Sequence, residues 1–504
     1  MAESPVSPLV AEHFDTIIVG AGLSGIAAAY HLQRGCPGKT YAILEARASI
    51  GGTWDLFRYP GVRSDSDMFT LGYSFRPWTN PKAIADGASI LQYVRDTASE
   101  LGIDRHIRFH RRVETMRWSS ATSRWTLGVR DTRTNELVDL TCGFAVGCTG
   151  YYDYDQGYTP DLPGLATFQG RLVHPQHWPA DLDVTGKRVV VIGSGATAVT
   201  LVPELAKTAA HVTMLQRSPT YIVSVPSQDK VADWLRAKLP AGLAHEITRW
   251  KNVLIGLASF QYSRRYPAQM TKWLLARAER QLGGAADVKT HFTPSYKPWD
   301  QRLCLIPDGD LFEALKSKRA EVVTDHIASL DASGIVLRSG ARLDADVVVT
   351  ATGLQLKLFG GIALSLDGVA VDPATLLVYK GIMCSGVPNF AFAIGYTNAS
   401  WTLKADLTAQ YVTRLLRYMD EHGFSACIPK RDDTVEELPL LDFSSGYVTR
   451  AIQGFPRQGH IRPWRLFQNY ALDLLMIRHS KIADATMEFT AARDLPVATV
   501  RRAG

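Results

Sequence analysis

The sequence predicts an α/β fold made of two similar strand–turn–helix units, with a helical insertion in the second unit. Two glycine-rich turns support this prediction, GAGLSG at 20–25 and GSGATA at 193–198. Each turn follows an apolar strand and opens a helix, which is the pattern of a Rossmann-like unit that cradles the pyrophosphate of a dinucleotide. Two such units in a chain of 504 residues therefore predict two Rossmann-like dinucleotide-binding domains on one polypeptide.

The first unit carries the full pattern of glycines followed by an acid. Gly20 permits the tight turn, Gly22 lets backbone amides approach the pyrophosphate, and Gly25 lets the helix pack on the strand. The next strand, YAILEAR, ends at Glu45, 25 residues after the first glycine, where an acid can bind ribose hydroxyls. A glycine-rich turn without a ligand is the alternative, and the strand and the acid together favour the dinucleotide.

The second unit differs at the end of its second strand, HVTMLQRSP. Gln216 stands where an NAD site would carry an acid, and Arg217 and Ser218 follow it. An acid there would repel a 2′-phosphate, whereas a guanidinium can pair with it. The second unit is therefore predicted to bind NADPH. The alternative is an ordinary surface arginine at a strand end.

The order of strands and helices predicts a discontinuous first domain, formed by residues 1–155 and 340–504. A second domain occupies residues 156–339 and includes a helical insertion at about 228–285. The strand in DADVVVTATG is expected to bring the chain back into the first domain. Pro240 and Pro267 interrupt the helical pattern of the insertion and should mark helix boundaries.

Composition excludes several classes of protein. The six cysteines include no CxxC pair, which argues against a disulfide framework, a zinc or other metal site, and the dithiol of a disulfide reductase. Neither a signal peptide nor an apolar run long enough to span a bilayer is visible, so a cytoplasmic protein is expected. Outside residues 231–285 the charges balance, which argues against nucleic-acid binding.

Residues 231–285 carry nine Lys/Arg against three Asp/Glu, a local excess equal to the net charge of +6 of the whole chain. One interpretation is a lid over the substrate cavity. The other is a peripheral membrane contact, with tryptophan and leucine facing the lipid and the basic groups above them. The apolar residues in question are Trp234, Trp250, Trp273, Leu274 and Leu275.

Two longer motifs carry a family resemblance. The pattern FxGxxxHxxxWP is formed by Phe168, Gly170, His174, Trp178 and Pro179, and GGTWDLFRYPGVRSD spans residues 51–65. Together they resemble the Baeyer–Villiger monooxygenases, a family of class B flavoprotein monooxygenases. Relatives that oxygenate nitrogen or sulfur share the first half of the first motif and usually lack its Trp-Pro ending. The resemblance extends from about residue 14 to about residue 489.

The resemblance implies FAD in the first unit and NADPH in the second. The residues implied to form the FAD site, with Val113 contacting the adenine through its backbone, are Gly20, Gly22, Ser24, Gly25, Glu45, Gly52, Thr53, Trp54, Asp55, Leu56, Asp65 and Val113. The residues implied to form the NADP site are Arg63, Ser64, Gly193, Ser194, Gly195, Ala196, Thr197, Ala198, Val199, Arg217 and Ser218.

In PWDQRLC, Arg302 occupies the position of the family's catalytic arginine. A guanidinium does not deprotonate in proteins, so it can stabilise the negative charge that develops when an oxygen anion attacks a carbonyl. A buried arginine needs a counter-charge, and Asp65 is the expected partner. The alternative is an ordinary surface ion pair. Many members of the family have lysine just before this arginine, and Gln301 here leaves a nearby coenzyme contact open.

His174 is the third residue that the resemblance places in the catalytic machinery. We expect it to link domain movement to NADP binding and not to transfer protons during oxygen insertion. A histidine before proline is more often a structural hydrogen-bonding group, and that interpretation stays open.

The implied activity is insertion of one atom of O₂ into a small-molecule ketone, giving an ester or lactone at the expense of NADPH. The leading alternative is S- or N-oxygenation of sulfides or thioamides in the same site. A hypothesis of another class is a flavoprotein that serves as a redox sensor. The presence of Arg302, Asp65 and both glycine turns argues against it.

Overall fold

The computed structural model describes residues 11–441 and 443–491. The first glycine turn opens a large mixed sheet at the start of the chain. The strands of this part are β1 (Glu12–Val19), β2 (Tyr41–Leu44), β3 (Ile107–Arg108), β4 (Arg111–Ser119), β5 (Arg124–Asp131), β6 (Leu137–Gly147) and β7 (Tyr152–Gly157). Its helices are α1 (Leu23–Gly35), α2 (Thr53–Leu56), α3 (Met68–Leu71) and α4 (Gly87–Glu100).

The second glycine turn lies in a separate sheet formed by the middle of the chain. The strands here are β8 (Arg171–Val173), β9 (Arg188–Ile192), β10 (His211–Gln216), β11 (Ile222–Val225), β12 (Cys304–Pro307), β13 (Ala320–Thr324), β14 (Ile327–Asp331), β15 (Gly334–Leu337), β16 (Arg342–Asp344) and β17 (Val347–Thr350). The helices are α5 (Ala196–Leu205), α6 (Lys230–Lys238), α7 (Ala241–Arg265), α8 (Pro267–Leu282), α9 (Val288–His291) and α10 (Asp310–Lys316).

The last part of the chain completes the first sheet and covers it with helices. Its strands are β18 (Leu354–Leu356), β19 (Ala363–Leu366), β20 (Val369–Ala370), β21 (Val378–Tyr379), β22 (Met383–Cys384), β23 (Phe390–Phe392), β24 (Phe424–Pro429), β25 (Glu437–Pro439), β26 (Arg457–Gly459) and β27 (Met487–Ala491). Its helices are α11 (Trp401–His422), α12 (Gly446–Ala451) and α13 (Tyr470–His479).

The pairing of strands confirms the predicted α/β class with two Rossmann-like units. In the first sheet, of order β20-β19-β4-β5-β6-β1-β2-β3, the strand before the glycine turn runs parallel to β2 and β6. In the second sheet, of order β13-β10-β9-β17-β8, all neighbouring strands are parallel. Helix α1 packs between its sheet and α11, while α5 follows the second glycine turn.

The strand pairing favours a boundary later than the predicted residue 340, after two further strands, β16 and β17. Strand β17 pairs with β8 and β9, so it belongs to the second sheet and not to the first domain. All four of its residues, Val-Val-Val-Thr, are buried, and a run of this kind is stable only between two neighbouring strands. The chain crosses back afterwards, where β18 pairs with β7 in a two-stranded ribbon. We therefore propose a boundary after Thr350.

Helices α6, α7 and α8 form the insertion, and the two prolines mark helix starts as predicted. The predicted apolar face does not exist as one surface. Trp234 and Trp273 are 61% and 51% exposed, whereas Leu274 is buried and Trp250 packs against Tyr470. The exposed and the packed residues differ because the interior side of the helices packs against the rest of the protein. No helix in the described ranges is long and apolar enough to cross a membrane.

Candidate active site between two dinucleotide-binding turns

Close backbone packing explains why glycines occupy the first turn. Gly20 has φ of +108°, and a Cβ there would lie 2.5 Å from the carbonyl oxygen of Cys148. A Cβ on Gly25 would lie 1.9 Å from the carbonyl oxygen of Gly20. Gly22 precedes α1 without a side-chain cap, so the amides that open this helix are left for a ligand. A second glycine, Gly52, faces Gly22, its Cβ position being 3.2 Å from the Cα of Gly22.

Glu45 is held in place at the end of β2. Its two carboxylate oxygens accept hydrogen bonds from the backbone amides of Ala21 and Arg47, at 2.8 and 2.9 Å. Burial raises the pKa of this carboxyl group, and the two amide donors oppose that shift. The first donor belongs to the glycine turn itself, so the acid and the turn form one rigid unit.

The residues of α2 lie beside this unit. Thr53 hydrogen-bonds the hydroxyl of Tyr154 at 3.1 Å, and Asp55, which is 3% exposed, pairs with Arg47 at 2.5 Å. Leu56 is buried, while Trp54 is partly buried against the main core. The side chains of Asp55 and Leu56 thus contribute to the fold. The backbone of Gly52 faces the first turn.

Two further residues predicted for the FAD site, Ser24 and Val113, lie on either side of the turn. The hydroxyl of Ser24 accepts a 2.7 Å hydrogen bond from the indole nitrogen of Trp401. Val113 is buried on β4, next to the irregular pairing with β5. Its strand is joined to Glu45 by the bond from the Arg111 amide to the glutamate carbonyl oxygen at 2.8 Å. The structure therefore places the glycines of the turn, Glu45 and the start of α2 next to one another, while Asp65 lies at the junction described below.

The second turn is more open than the first. Gly193, with φ of +137°, is as restricted as Gly20, since a Cβ there would lie 2.3 Å from the carbonyl oxygen of Ala351. A Cβ on Gly195, in contrast, would meet no atom within 4 Å. The side chains of Ala198 and Val199 are buried under α5, so these residues can offer a ligand only their backbone. The open side includes Ala196 and Thr197.

At the end of β10, the buried side-chain amide of Gln216 is followed by the exposed charge of Arg217. Gln216 is 2% exposed and donates hydrogen bonds to the His291 carbonyl and the Thr324 hydroxyl, both at 2.8 Å. Arg217 and Ser218 are exposed, and the Ser218 carbonyl accepts a hydrogen bond from Ser194 at 3.1 Å. Within residues 11–441 and 443–491, no carboxylate lies within 4 Å of the Arg217 guanidinium. This cation is available to an external anion.

Arg63 and Ser64 lie between the two units. Arg63 forms an ion pair with Asp310, the first residue of α10 in the second unit. Ser64 is buried, and its hydroxyl accepts a hydrogen bond from the amide of Ser66 at 2.9 Å. An anionic ligand at Arg63 would therefore share the guanidinium with Asp310 or displace it.

Arg302 and Asp65 meet at this junction in a two-point ion pair. Arg302 Nε lies 2.6 Å from Asp65 Oδ2, and Nη2 donates to Oδ1 at 2.9 Å. The arginine side chain is 36% exposed, so one edge of the guanidinium stays accessible. Asp65 is the main cause of a raised pKa of Arg302, and the neighbouring Tyr151 and Tyr447 add to it. The arginine is permanently charged, anchored and reachable.

The aromatic wall beside Arg302 was missed from the sequence. Tyr151 stacks on Trp401 with ring centroids 5.1 Å apart and hydrogen-bonds the Tyr152 hydroxyl at 2.8 Å. Burial is the main cause of the raised pKa of both tyrosines, so both hydroxyls stay protonated. Because Trp401 also bonds Ser24, this wall connects the arginine to the first turn. The signal in the sequence was the cluster of tyrosines that follows Gly150.

The loop that carries Arg302 is held from two directions. Asp300 pairs with Arg264 of α7 at 2.9 Å, and its carbonyl accepts a hydrogen bond from the Ser444 amide at 3.0 Å. Gln301 is partly buried and bridges to Pro298 through its backbone. The insertion thus contributes to the position of the arginine.

His174 lies at the crossing between the units and touches neither Arg302 nor Asp65. Its Nδ1 accepts a hydrogen bond from the Gln176 amide at 3.2 Å, which leaves Nε2 to donate to the Gly353 carbonyl at 3.3 Å. Its ring covers Gly157, where a Cβ would lie 1.9 Å from His174 Cε1. Burial lowers the pKa of the imidazole. A neutral histidine therefore contacts both strands by which the chain crosses between the units.

Comparison with known proteins agrees with this arrangement. Residues 18–80 match the model of an NAD(P)-binding Rossmann-like domain, and residues 72–235 match that of flavin-binding monooxygenase-like proteins. The FAD-containing monooxygenase EthA of Mycobacterium tuberculosis is 55% identical over 96% of this chain and 99% of its own length. The probable FAD-binding monooxygenase AlmA of Acinetobacter baylyi is 47% identical, over 96% and 97%.

The fold is also that of a solved structure, an oxidized steroid monooxygenase bound to NADP. The two superpose with a TM-score of 0.76 over 95% of this chain and all of the other, at 24% identity. At that level of identity the match concerns the fold alone.

Proposed function

The chain belongs to the family of FAD-containing monooxygenases, and from that premise we propose that it is an NADPH-dependent Baeyer–Villiger monooxygenase. One observation carries the proposal. A guanidinium with one accessible edge, Arg302, is held by Asp65 at the junction of two dinucleotide-binding units. The substrate class proposed is a small-molecule ketone, and the product is an ester or lactone.

The residues of the first unit fit FAD. Its turn leaves free amides at the start of a 13-residue helix, and Glu45 ends the adjacent strand as a fixed acceptor for ribose hydroxyls. The residues of the second unit fit NADPH. A ligand can approach the backbone at Gly195, and the free Arg217 suits a 2′-phosphate.

When bound, FAD reduced by NADPH supplies the activation of O₂ and the transfer of one oxygen atom. The chain's own contribution is electrostatic. Arg302 would stabilise negative charge that develops beside it on the substrate carbonyl oxygen, because the charge of a guanidinium does not depend on pH. Asp65 fixes the orientation of the guanidinium, so little reorganisation is needed when the charge develops. The aromatic wall of Tyr151 and Trp401 limits access of water beside it.

Oxygenation of a soft heteroatom, as in sulfides or thioamides, is the second candidate activity for the same site. This reaction needs an electrophilic oxygen, which protonation favours. The protonated hydroxyls of Tyr151 and Tyr152 near Arg302 are the observation that favours it. Because the two hydroxyls are hydrogen-bonded to each other, one of the two protons is free to be donated to that oxygen.

Replacing Arg302 separates the two activities. In Arg302→Ala, ester formation from a ketone should fall by at least ~10²-fold, the usual effect of removing one preorganised electrostatic donor. Sulfide oxygenation should fall less, because it does not need an anionic nucleophile. The measurement is product formation from a ketone and a sulfide under ¹⁸O₂, with FAD content recorded on the same sample.

Arg302→Lys is the matched control, since it keeps the charge and loses the two-point contact with Asp65. Its ester formation should lie between that of the wild type and Arg302→Ala. Ester formation at the wild-type rate in Arg302→Ala would refute the assigned role. Absence of ¹⁸O in any product would refute a monooxygenase of this kind.

Peripheral membrane contact stays a proposal, now on a different surface from the one predicted. Helix α7, which lies within the basic segment 231–285, exposes Leu243, Ile247, Leu254 and Ile255 at 40–59% of their surface. Binding to anionic vesicles should occur at low salt and weaken as ionic strength rises. Leu254→Glu should reduce it, and failure of anionic vesicles to pellet the protein would exclude it.

A further inference from the structure

A cavity separate from the proposed active site lies where α1, α7, α11 and α13 meet. Its volume is about 340 Å³, within the range of small-molecule sites and many times the space that one water needs. None of the residues proposed to bind FAD or NADPH lines it, and neither does Arg302.

The cavity is lined by a guanidinium of which only one terminal nitrogen is hydrogen-bonded by the described residues. Arg249 is 3% exposed, and its Nη1 donates hydrogen bonds to the carbonyl oxygens of Phe69 and Gly72, both at 2.8 Å. Its Nη2 is buried without a hydrogen-bond partner among the described residues. A buried charged donor without a partner is costly, so this nitrogen marks a place for an acceptor.

A buried carboxylate beside the cavity, Asp406, is already paired. Asp406 lies 2.5 Å from both His31 Nε2 and the hydroxyl of Ser74. Gln410 donates to the same carboxylate at 3.3 Å and accepts a hydrogen bond from Arg478 at the rim. A second carboxylate in the lining, Glu246, is exposed to solvent. Among the described lining residues, the buried charged donor without a partner is therefore Arg249, which favours a negatively charged group.

The walls of the cavity are aromatic and apolar. Tyr30 stacks on Phe75 with ring centroids 3.6 Å apart, and Trp250 packs against Tyr470 with centroids 5.9 Å apart. Val253 and Leu474 add aliphatic surface to the lining. A flat or slender apolar body would fit between these rings.

We propose that this cavity is a second ligand site, which binds a monocarboxylate with an aromatic or other apolar body. The carboxylate accepts a hydrogen bond from Arg249 Nη2, and the body lies between the two aromatic pairs. Nη1 of the same arginine binds the carbonyl oxygens of Phe69 and Gly72, a few residues after Asp65. A ligand on Arg249 therefore also contacts, through this arginine, the segment next to the ion pair of Asp65 and Arg302.

The test uses the FAD-loaded full chain and 2-naphthoate, with the uncharged 2-naphthamide as the matched probe, in calorimetric titration. The acid should bind saturably, and at least tenfold more tightly than the amide. Arg249→Gln should weaken binding of the acid at least tenfold. Leu474→Trp, which fills the cavity and leaves Arg249 with its backbone partners, should do the same while NADPH oxidation stays near the wild-type rate.

Leu474→Trp keeps the test valid if Arg249→Gln does not fold. Three results would overturn the proposal. The acid and the amide could bind equally, which would remove the role of the charge. Binding within twofold of the wild type in Leu474→Trp would place the probe elsewhere. No saturable binding to the wild type would mean that the cavity holds water only.

Discussion

The two glycine turns of this protein have the same backbone pattern and opposite surroundings. Around the first turn, Gly22 faces another glycine, and Glu45 is buried and bonded to two backbone amides. Around the second turn, Gly195 faces open space, and the charged residue at the strand end, Arg217, is exposed without a carboxylate partner in the described part of the chain.

This difference indicates how each ligand is used. A closed site with a fixed acid loses little entropy when its ligand binds and releases it slowly, which suits a resident FAD. An open site whose main charge lies at the surface suits NADPH, which must enter and leave during turnover. The same local fold is therefore adapted to retention in one unit and to exchange in the other.

The largest expected effect comes from adding one methyl group to each turn. Gly20→Ala forces a Cβ to within 2.5 Å of a backbone oxygen at φ of +108°, so we expect loss of FAD and of folded protein. Gly195→Ala places a Cβ in open space, so the variant should fold, keep its FAD and show a raised KM for NADPH. The measurement is the ratio of flavin to protein absorbance, followed by coenzyme kinetics.

Gly193→Ala is the control, because Gly193 holds the same position in the second turn as Gly20 in the first. Its Cβ would lie 2.3 Å from a backbone oxygen. It should disturb the second unit as Gly20→Ala disturbs the first. Equal loss of FAD in Gly195→Ala and Gly20→Ala would contradict the contrast between an open and a closed turn.

A smaller effect concerns helix α7, where it packs against α3 of the first unit. His245 is 5% exposed on α7, four residues before Arg249, and burial with help from that arginine lowers its pKa to about 4. The unfolded chain takes up a proton near pH 6.5 while the native protein does not, so stability is lost as pH falls from 6.5 towards 4. Between pH 7 and pH 5 the loss should be about 2 kcal/mol.

Thermal unfolding of the wild type and of His245→Gln, at pH 7 and pH 5, checks this expectation. The variant should lose less stability on acidification, since it has no imidazole to protonate. An identical loss of stability in both proteins would show that groups other than His245 control the acid sensitivity.

Much of this arrangement could be predicted from the sequence, because it depends on local patterns. The turns and their flanking strands follow from glycine spacing and hydrophobic runs, whereas the pairing of Arg302 with Asp65, 237 positions apart, was expected from the family resemblance. Features that depend on distant pairing could not be predicted. Strand β17 was assigned to the wrong sheet because a buried strand of four residues carries no mark of its neighbours.

The aromatic wall was missed for a similar reason. Tyr151 and Trp401 are 250 positions apart in sequence and meet only after the last part of the chain returns to the first sheet. The interior face of the insertion also depends on tertiary packing, which partly buries Trp250 and leaves Trp234 exposed although both lie in helices of the insertion.

The central claim, that the open second turn selects NADPH through a free surface cation, is tested most directly by the coenzyme kinetics of Arg217→Ala. Loss of one charge-assisted phosphate contact costs ~1.5–3 kcal/mol, so kcat/KM for NADPH should fall roughly ten- to a hundredfold. With NADH the value should stay almost unchanged, and FAD content should equal that of the wild type. An equal loss with both coenzymes would contradict the claim and direct attention to Gln301.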